Sequence, residues 1–224
     1  MSTEKELKEK LRFEKLLVFA KSEKYKKNFM AKEYGLAMIE LAYSYKCNLK
    51  CEHCYASYLG GGKKKLSIDD VKKLSRQADE IGIFQFNLQG GEPLIWKDLD
   101  QVIVALEPDK FHITITTNAT KLDFESAKHL RTLGVDKIAV SLDSFNESEF
   151  ETIRKSNGLY KKTIDALFSA KEAGLHVNIN TVITRQNVRS PEVVAMAEFA
   201  ETHGFTLFCL VAVPVGRWEG KYDK

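Results

Sequence analysis

A repeated junction between helix and strand constrains the fold of this chain. At four places, a glycine ends a predicted helix and is followed at once by apolar and β-branched residues: Gly82, Gly134, Gly174 and Gly204. Glycine favours the left-handed conformation that ends helices, and the runs that follow are typical of strands. Strands that alternate with helices build a parallel sheet. The pattern therefore predicts an α/β fold.

Six strands are predicted in total. They cover residues 36–43, 83–88, 111–117, 135–142, 175–183 and 205–213. Helix-capping residue types precede the helical stretches between them: Ser67, Asp98, Asp123, Asn146 and Ser190. A closed barrel of this kind has eight units in roughly 250 residues, so six units predict a partial (β/α)6 TIM-like barrel with an open side. A doubly wound open sheet is the alternative.

The first part of the chain predicts a helix over residues 4–29, where apolar residues recur near helical spacing among Lys and Glu. We expect residues 1–35 to form an N-terminal helical extension and residues 36–224 to form the core domain. The start of the chain lacks the apolar stretch of a secretory signal, and no apolar run approaches a membrane span. The net charge of +3 gives no reason to expect a nucleic-acid or membrane partner.

Three of the four cysteines lie in one predicted loop after the first strand, with the spacing C-x3-C-x2-C: Cys47, Cys51 and Cys54. Thiolates this close can hold three corners of a [4Fe–4S] cluster, which normally takes four cysteines. One iron would stay open, as the metal does in catalytic zinc sites. A zinc site completed by His53 or a distant His is the alternative, although structural zinc usually uses two separated ligand pairs. The cysteine pattern suits a reducing, cytoplasmic location.

This motif, with the aromatic Tyr55 directly after its last cysteine, resembles the cluster motif of the radical S-adenosylmethionine (SAM) enzymes. The resemblance implies that a [4Fe–4S] cluster on the three cysteines reductively cleaves SAM. The resulting deoxyadenosyl radical would abstract hydrogen from a peptide or a small-molecule cofactor precursor. It also implies an external one-electron donor of the flavodoxin or ferredoxin type.

The resemblance covers roughly residues 36–218 and is nearest to the branch of the molybdenum-cofactor cyclase and the SPASM-type maturases. The sequence ends at Lys224, just after the sixth predicted strand, so we expect it to lack the C-terminal cysteine-rich region that carries the auxiliary clusters of the SPASM type. Two alternatives therefore stay open: a truncated core domain of a larger maturase, and a zinc-stabilised module without catalysis. We expect one cluster per chain, because a second cube normally needs about four further cysteines.

Polar residues follow the predicted strands at their carboxyl ends, where active residues of parallel α/β folds collect. After the second strand come Gly90, Gly91 and Glu92. Glycines allow a close backbone approach and positive φ. By resemblance, Glu92 accepts hydrogen bonds from the SAM amino group. Thr117 ends the third strand and either caps a turn or contacts the ligand.

The later strands carry the remaining candidates. By resemblance, Ser141 contacts SAM and Arg154 pairs with its carboxylate, a role that suits a planar guanidinium. Asn180 shares one face of the fifth strand with Asn178, and by resemblance it is the better ligand candidate. In the apolar sixth strand, which should pack against the adenine, we expect Cys209 to be a buried free thiol.

Overall fold

Six parallel strands form the sheet. The computed structural model describes residues 15–31, 35–58 and 65–221. The strands are β1 (Met38–Ser44), β2 (Gln85–Gly90), β3 (His112–Thr117), β4 (Lys137–Ser141), β5 (His176–Ile183) and β6 (Thr206–Val211). They lie side by side in chain order, and every neighbouring pair is parallel. A doubly wound sheet reverses its order at a switch point, so that alternative is wrong and the partial barrel is confirmed.

Helices connect and flank the strands. Within the described ranges they are α1 (Leu16–Met30), α2 (Ile68–Glu80), α3 (Leu99–Ala105), α4 (Phe124–Thr132), α5 (Glu147–Arg154), α6 (Leu159–Glu172) and α7 (Pro191–His203). Ser67, Asp123, Asn146 and Ser190 each accept a backbone N–H of the first helical turn, as their residue types predict. Asp98 precedes α3 but does not cap it. None of the helices in these ranges is long and apolar enough to cross a membrane.

Two helices, rather than one, lie between β4 and β5. α5 ends where Lys155 adopts a left-handed conformation with φ of 52°, and α6 begins after Gly158, whose φ is 69°. The capping patterns in the sequence do not indicate this second start. The break matters for the site, because it makes Arg154 the last residue of a short helix near the carboxyl ends of the strands.

The two faces of the sheet differ in polarity. On one face, apolar side chains such as Phe86 and Ile138 are fully buried. On the other, which we call the concave face, Thr116 Oγ1 donates to Asn87 Oδ1 at 2.9 Å. Alternation along each strand and the strand register assign to the concave face residues 38, 40 and 42 (β1), 85, 87 and 89 (β2), 112, 114 and 116 (β3), 137, 139 and 141 (β4), 176, 178, 180 and 182 (β5), and 206, 208 and 210 (β6).

Helix α1 is anchored at the amino ends of the central strands. Lys15, just before α1, donates its Nζ to the backbone carbonyls of Phe111 at 2.9 Å and Gly134 at 3.1 Å, and it pairs with Asp136. Burial lowers the pKa of Lys15, while the Asp136 carboxylate opposes this shift. The predicted helix over residues 4–29 is thus observed from Leu16, and its first part lies outside the described residues.

Strand β6 is more exposed than its sequence predicts. Phe208 and Leu210 on the concave face are 50% and 42% exposed. Cys209 is also exposed, so the expectation of a buried thiol is wrong. The reason is position: among the described strands β6 pairs only with β5, and it forms one edge of the sheet. Its apolar sequence is that of a covered strand, but the described residues leave much of it uncovered.

Candidate active site

The cysteine loop, residues 45–54, follows β1 at the carboxyl edge of the sheet. Its free thiols differ in exposure: Cys51 is buried, Cys54 is half-buried and Cys47 is exposed. Burial raises the pKa of Cys51, and loss of solvent around the sulfur raises that of Cys47, although this residue as a whole is exposed; neighbouring thiolates raise both pKa values further. The structure therefore brings the three predicted ligands into one interacting group. Within the described ranges no three His, Cys, Asp or Glu side chains converge as they would on a single metal ion, but each iron of a cube takes its own cysteine.

Backbone hydrogen bonds fix the cysteine loop to the neighbouring elements. The N–H of Glu52 donates to the carbonyl of Ile153 at 2.7 Å, which ties the loop to α5. The N–H of Glu92 donates to the carbonyl of Lys46 at 2.9 Å, which ties it to the residues after β2. The loop is thus positioned by main-chain contacts on both sides.

Two glycines at the end of β2, Gly90 and Gly91, are required by close contacts with the end of β1 and with the cysteine loop. A Cβ on Gly91 would lie 2.1 Å from the carbonyl oxygen of Lys46, and a Cβ on Gly90 would lie 2.8 Å from that of Ser44. Gly90 also has a φ of 121°, which side chains with a Cβ rarely adopt. The sequence predicts a close backbone approach here, and the structure identifies its partners: the end of β1 for Gly90 and the cysteine loop for Gly91.

The residues after β6 close over the same loop, which the sequence reasoning missed. A Cβ on Gly216 would lie 2.2 Å from the carbonyl oxygen of Cys54. Arg217 Nη1 donates to the carbonyl of Cys51 at 2.6 Å, and the Trp218 side chain is buried. The sequence does contain one signal for them: they come directly after a strand, at the edge of the sheet where site residues collect.

Glu92 is a buried carboxylate held by three donors. Its Oε1 accepts the Thr117 hydroxyl at 2.6 Å and the Leu94 N–H at 3.0 Å, and its Oε2 accepts the Asn118 N–H at 2.7 Å. The residue is 1% exposed. Burial raises the pKa of Glu92 to about 7, although all three hydrogen bonds favour the ionised form.

Arg154 lies beside both the cysteine loop and β4. Its Nη2 is 2.6 Å from Asp143 Oδ2, and its Nη1 is 3.8 Å from the sulfur of Cys51. Burial lowers the pKa of Arg154, but the negative charges of Asp143 and Cys51 outweigh this effect and leave it raised. Its charge also lowers the pKa of Glu92. The charges of the cysteine loop, Arg154 and Glu92 thus influence one another's pKa values.

The remaining candidates line the concave face or its rim. Ser141 and Asn180 are register partners on β4 and β5, so they lie side by side. The Oδ1 atom of Asn180 and the Nε atom of Arg154 are buried, and neither has a hydrogen-bond partner in the described part of the chain. Unsatisfied buried polar atoms are rare, and these two fit a site for a polar ligand. Tyr55 is 45% exposed and begins a short turn at the rim.

The family follows from a comparison with family models. The model of the Radical SAM superfamily matches residues 41–197 of the 224. This chain belongs to the radical SAM superfamily. The match runs from β1 through the cysteine loop and into α7, so it contains all the site residues predicted from the sequence, whereas Gly216, Arg217 and Trp218 lie beyond it. Members of this superfamily use a [4Fe–4S] cluster and SAM, which agrees with the two cofactors expected from the sequence.

Curated relatives include enzymes with two different names. The chain is 34% identical over 171 residues to a probable GTP 3',8-cyclase of Methanothermobacter thermautotrophicus, covering 75% of this chain and 55% of that protein. It is 30% identical over 165 residues to an Fe-coproporphyrin III synthase of Methanosarcina barkeri, covering 73% and 41%. This radical SAM chain therefore spans about half the length of the curated relatives it matches.

Solved structures share the fold. Streptococcus suis SuiB bound to its precursor peptide SuiA superposes with a TM-score of 0.71 at 21% identity, covering 85% of this chain and 42% of SuiB. At this identity the similarity shows the fold alone. It agrees with the partial barrel that the strand order indicates.

Proposed function

We propose that this radical SAM domain binds a [4Fe–4S] cluster through Cys47, Cys51 and Cys54 and cleaves SAM reductively. When bound, the cluster supplies the electron that splits SAM into methionine and a deoxyadenosyl radical, which takes a hydrogen atom from the substrate. The observation that carries the proposal is the grouping of three free thiols beside Glu92 and Arg154. Family membership favours this cluster over the zinc alternative.

The cysteine thiols must lose their protons when the cluster binds. Burial raises the pKa of Cys47 and Cys51 in the free chain, which favours the protonated thiols. Thiolates are the ligands of iron, so loading releases protons. The nearby Arg154 guanidinium acts in the other direction, because its charge and hydrogen bond lower the pKa of Cys51. It therefore stabilises the ligand state of this cysteine.

Glu92 accepts the SAM ammonium in this proposal. An ionised carboxylate offers about four acceptor positions, and three are used by the chain itself. One position remains for a ligand donor. Burial disfavours the charged form, so a cation next to Glu92 would restore the charge. Thr117 acts through Glu92 as a positioning residue.

Other residues orient the rest of SAM. We assign the SAM contacts on the concave face to Ser141 and Asn180, and Asn180 has the unpartnered Oδ1. Arg154 reaches the SAM carboxylate with the donors that Asp143 leaves free. Gly91 contributes by letting the cysteine loop approach, and Gly90 contributes by letting the end of β1 approach. Tyr55 contributes at the rim, next to the last cysteine.

The substrate and partners complete the proposal. We propose a small-molecule cofactor precursor or a peptide as the substrate, and the names of the relatives at 30% identity or more favour the small molecule. The electron donor is external, of flavodoxin or ferredoxin type. A reducing cytoplasm suits free thiols and a cluster. In this assignment, residues 36–224 form the core domain and residues 1–35 a helical extension.

Anaerobic reconstitution followed by incubation with SAM and dithionite tests the function. Wild type should bind one cluster, about four irons and four sulfides per chain, and should release deoxyadenosine. Its reduced electron paramagnetic resonance spectrum should change when SAM is added. Cys51→Ala should lose both iron and deoxyadenosine. A wild-type protein that takes up zinc but no iron–sulfur cluster would refute the proposal.

Cys209→Ala is the matched control. It removes an exposed thiol on β6 that has no place in the proposed cluster. Iron content and deoxyadenosine should equal those of wild type. If Cys209→Ala loses the cluster as fully as Cys51→Ala, the ligand assignment is wrong.

A further inference from the structure

A polar cavity lies at the opposite end of the barrel from the cysteine loop. It is at the amino ends of β4, β5 and β6 and has a volume of about 320 Å³. The polar side chains that line it are Lys137, Lys171, His176, Asn178 and Thr206. The proposed SAM site uses none of them. The cavity therefore needs its own explanation.

The charged residues that line the cavity are basic. The cavity lining contains two lysines and a histidine but no Asp or Glu. The carboxylate of Asp136, next in sequence to Lys137, already accepts Lys15 and the Ile113 N–H. The cavity thus has an excess of positive charge that the described carboxylates next to it do not neutralise.

The half-buried ring of His112 lies close to several of the same charged residues. Burial lowers its pKa to about 4. Of its charged neighbours, Asp136 raises this pKa, whereas Lys137, Lys15 and His176 lower it. The ammonium groups of Lys137 and Lys171, which line the cavity, attract anions.

The side chains are arranged as donors around one space. Lys137 and His176 are register partners on adjacent strands, as are Asn178 and Thr206. Neighbouring strands are about 4.8 Å apart, so the four side chains lie close together on the concave face and line the same cavity. Lys171 Nζ donates to the carbonyl of His203 at 2.5 Å, and an ammonium retains two further protons for a ligand.

We propose that this cavity binds a small anion, a phosphate or carboxylate group, between Lys137, Lys171 and His176. The amide of Asn178 and the hydroxyl of Thr206 supply neutral hydrogen bonds. The anion site is distinct from the SAM site, because Lys137 precedes Ser141 by four residues along β4, about 13 Å. Binding here depends on neither the cluster nor SAM.

Titration with inorganic phosphate, at constant ionic strength, tests the site. Calorimetry and the ring signals of His176 in NMR spectra should both report saturable binding, and malonate in a parallel titration shows whether carboxylates suffice. Lys137→Gln should weaken binding by about tenfold or more, the effect of losing one charge-assisted hydrogen bond. His176→Gln, at an exposed position, should also weaken binding without risk to the fold.

Lys162→Gln is the matched control, because it removes the same charge from an exposed position on α6. It should bind phosphate as wild type does. Cys51→Ala should also bind normally, so a failure of the cluster proposal leaves this test intact. The anion site is refuted if phosphate does not bind wild type, or if Lys137→Gln and Lys162→Gln bind it equally.

Discussion

At the scale of single residues, Glu92 combines burial with strong hydrogen bonding. Three donors favour its ionised form, yet burial raises its pKa from 4.5 to about 7. The loss of water therefore outweighs the donors in the free chain. A carboxylate in this balance changes its protonation state near neutral pH, and a bound ammonium group shifts it to the ionised form.

Glu92→Gln should change how the stability of the metal-free protein depends on pH. Because the folded pKa is raised, the carboxyl contributes stability that is fully present below about pH 4.5 and is lost as the pH rises to about 7. The difference of about 2.5 pKa units corresponds to about 3 kcal/mol. The variant should therefore gain about 3 kcal/mol relative to wild type between pH 4.5 and pH 8, measured by denaturant unfolding.

Glu198→Gln controls for the substitution itself, since Glu198 is exposed on α7. Its free energy of unfolding should follow that of wild type at every pH. Any constant cost of placing an amide at position 92 cancels in the pH comparison. A Glu92→Gln effect of the same size at pH 4.5 and pH 8 would contradict the raised pKa.

At the scale of elements, Gly91 allows the cysteine loop to rest on the end of β2. Its virtual Cβ meets the Lys46 carbonyl at 2.1 Å, a distance that forces the backbone apart. Gly91→Ala should keep the sheet, because the contact lies outside the strands. It should lower iron bound after reconstitution severalfold, because the displaced loop misplaces Cys47. Iron analysis and far-ultraviolet circular dichroism measure the two effects.

Gly174→Ala is the control for Gly91→Ala. Gly174 has a φ of 83°, and its virtual Cβ meets nothing within 4 Å. The substitution should cost about 1–2 kcal/mol of backbone strain and leave the bound iron unchanged. Equal iron loss in both variants would show that general destabilisation, rather than the loop contact, decides cluster loading.

The elements also show what a sequence can predict. The sequence predicts that strand β5 begins at Leu175, and the structure shows it beginning at His176. The two agree closely because the signals, a glycine that ends the helix and the β-branched residues after it, are local in the sequence. The exposure of Cys209 could not be predicted, since it depends on what covers β6. The contact of Gly216 with Cys54 joins residues far apart in the chain. Such tertiary contacts leave no periodic pattern in the sequence.

At the scale of the whole molecule, the net charge of +3 is small, and the local distribution of charge matters more. Lys46, Lys50 and Lys121 are exposed around the cysteine loop, and we call them the basic rim. Lys121 is near the loop because Asn48 Nδ2 donates to Thr120 Oγ1 at 2.7 Å. Cys47, the exposed thiol, lies among them. The basic rim thus lies next to Cys47, where we expect an electron to enter the proposed cluster.

An acidic electron donor should therefore dock on the basic rim, and Lys121→Glu should slow its reaction. Electrostatic steering raises association rates by 10–10³, so we expect about a tenfold slower reduction by a negatively charged flavodoxin at low ionic strength. The difference should fade near 1 M salt, where the screening length is about 3 Å. Stopped-flow absorbance measures both rates, and Lys162→Glu on α6 should behave as wild type.

Dithionite should reduce all three proteins equally, because a small reductant needs no docking surface. Equal slowing with dithionite, or a defect that salt does not remove, would mean that Lys121 supports the cluster itself rather than the encounter.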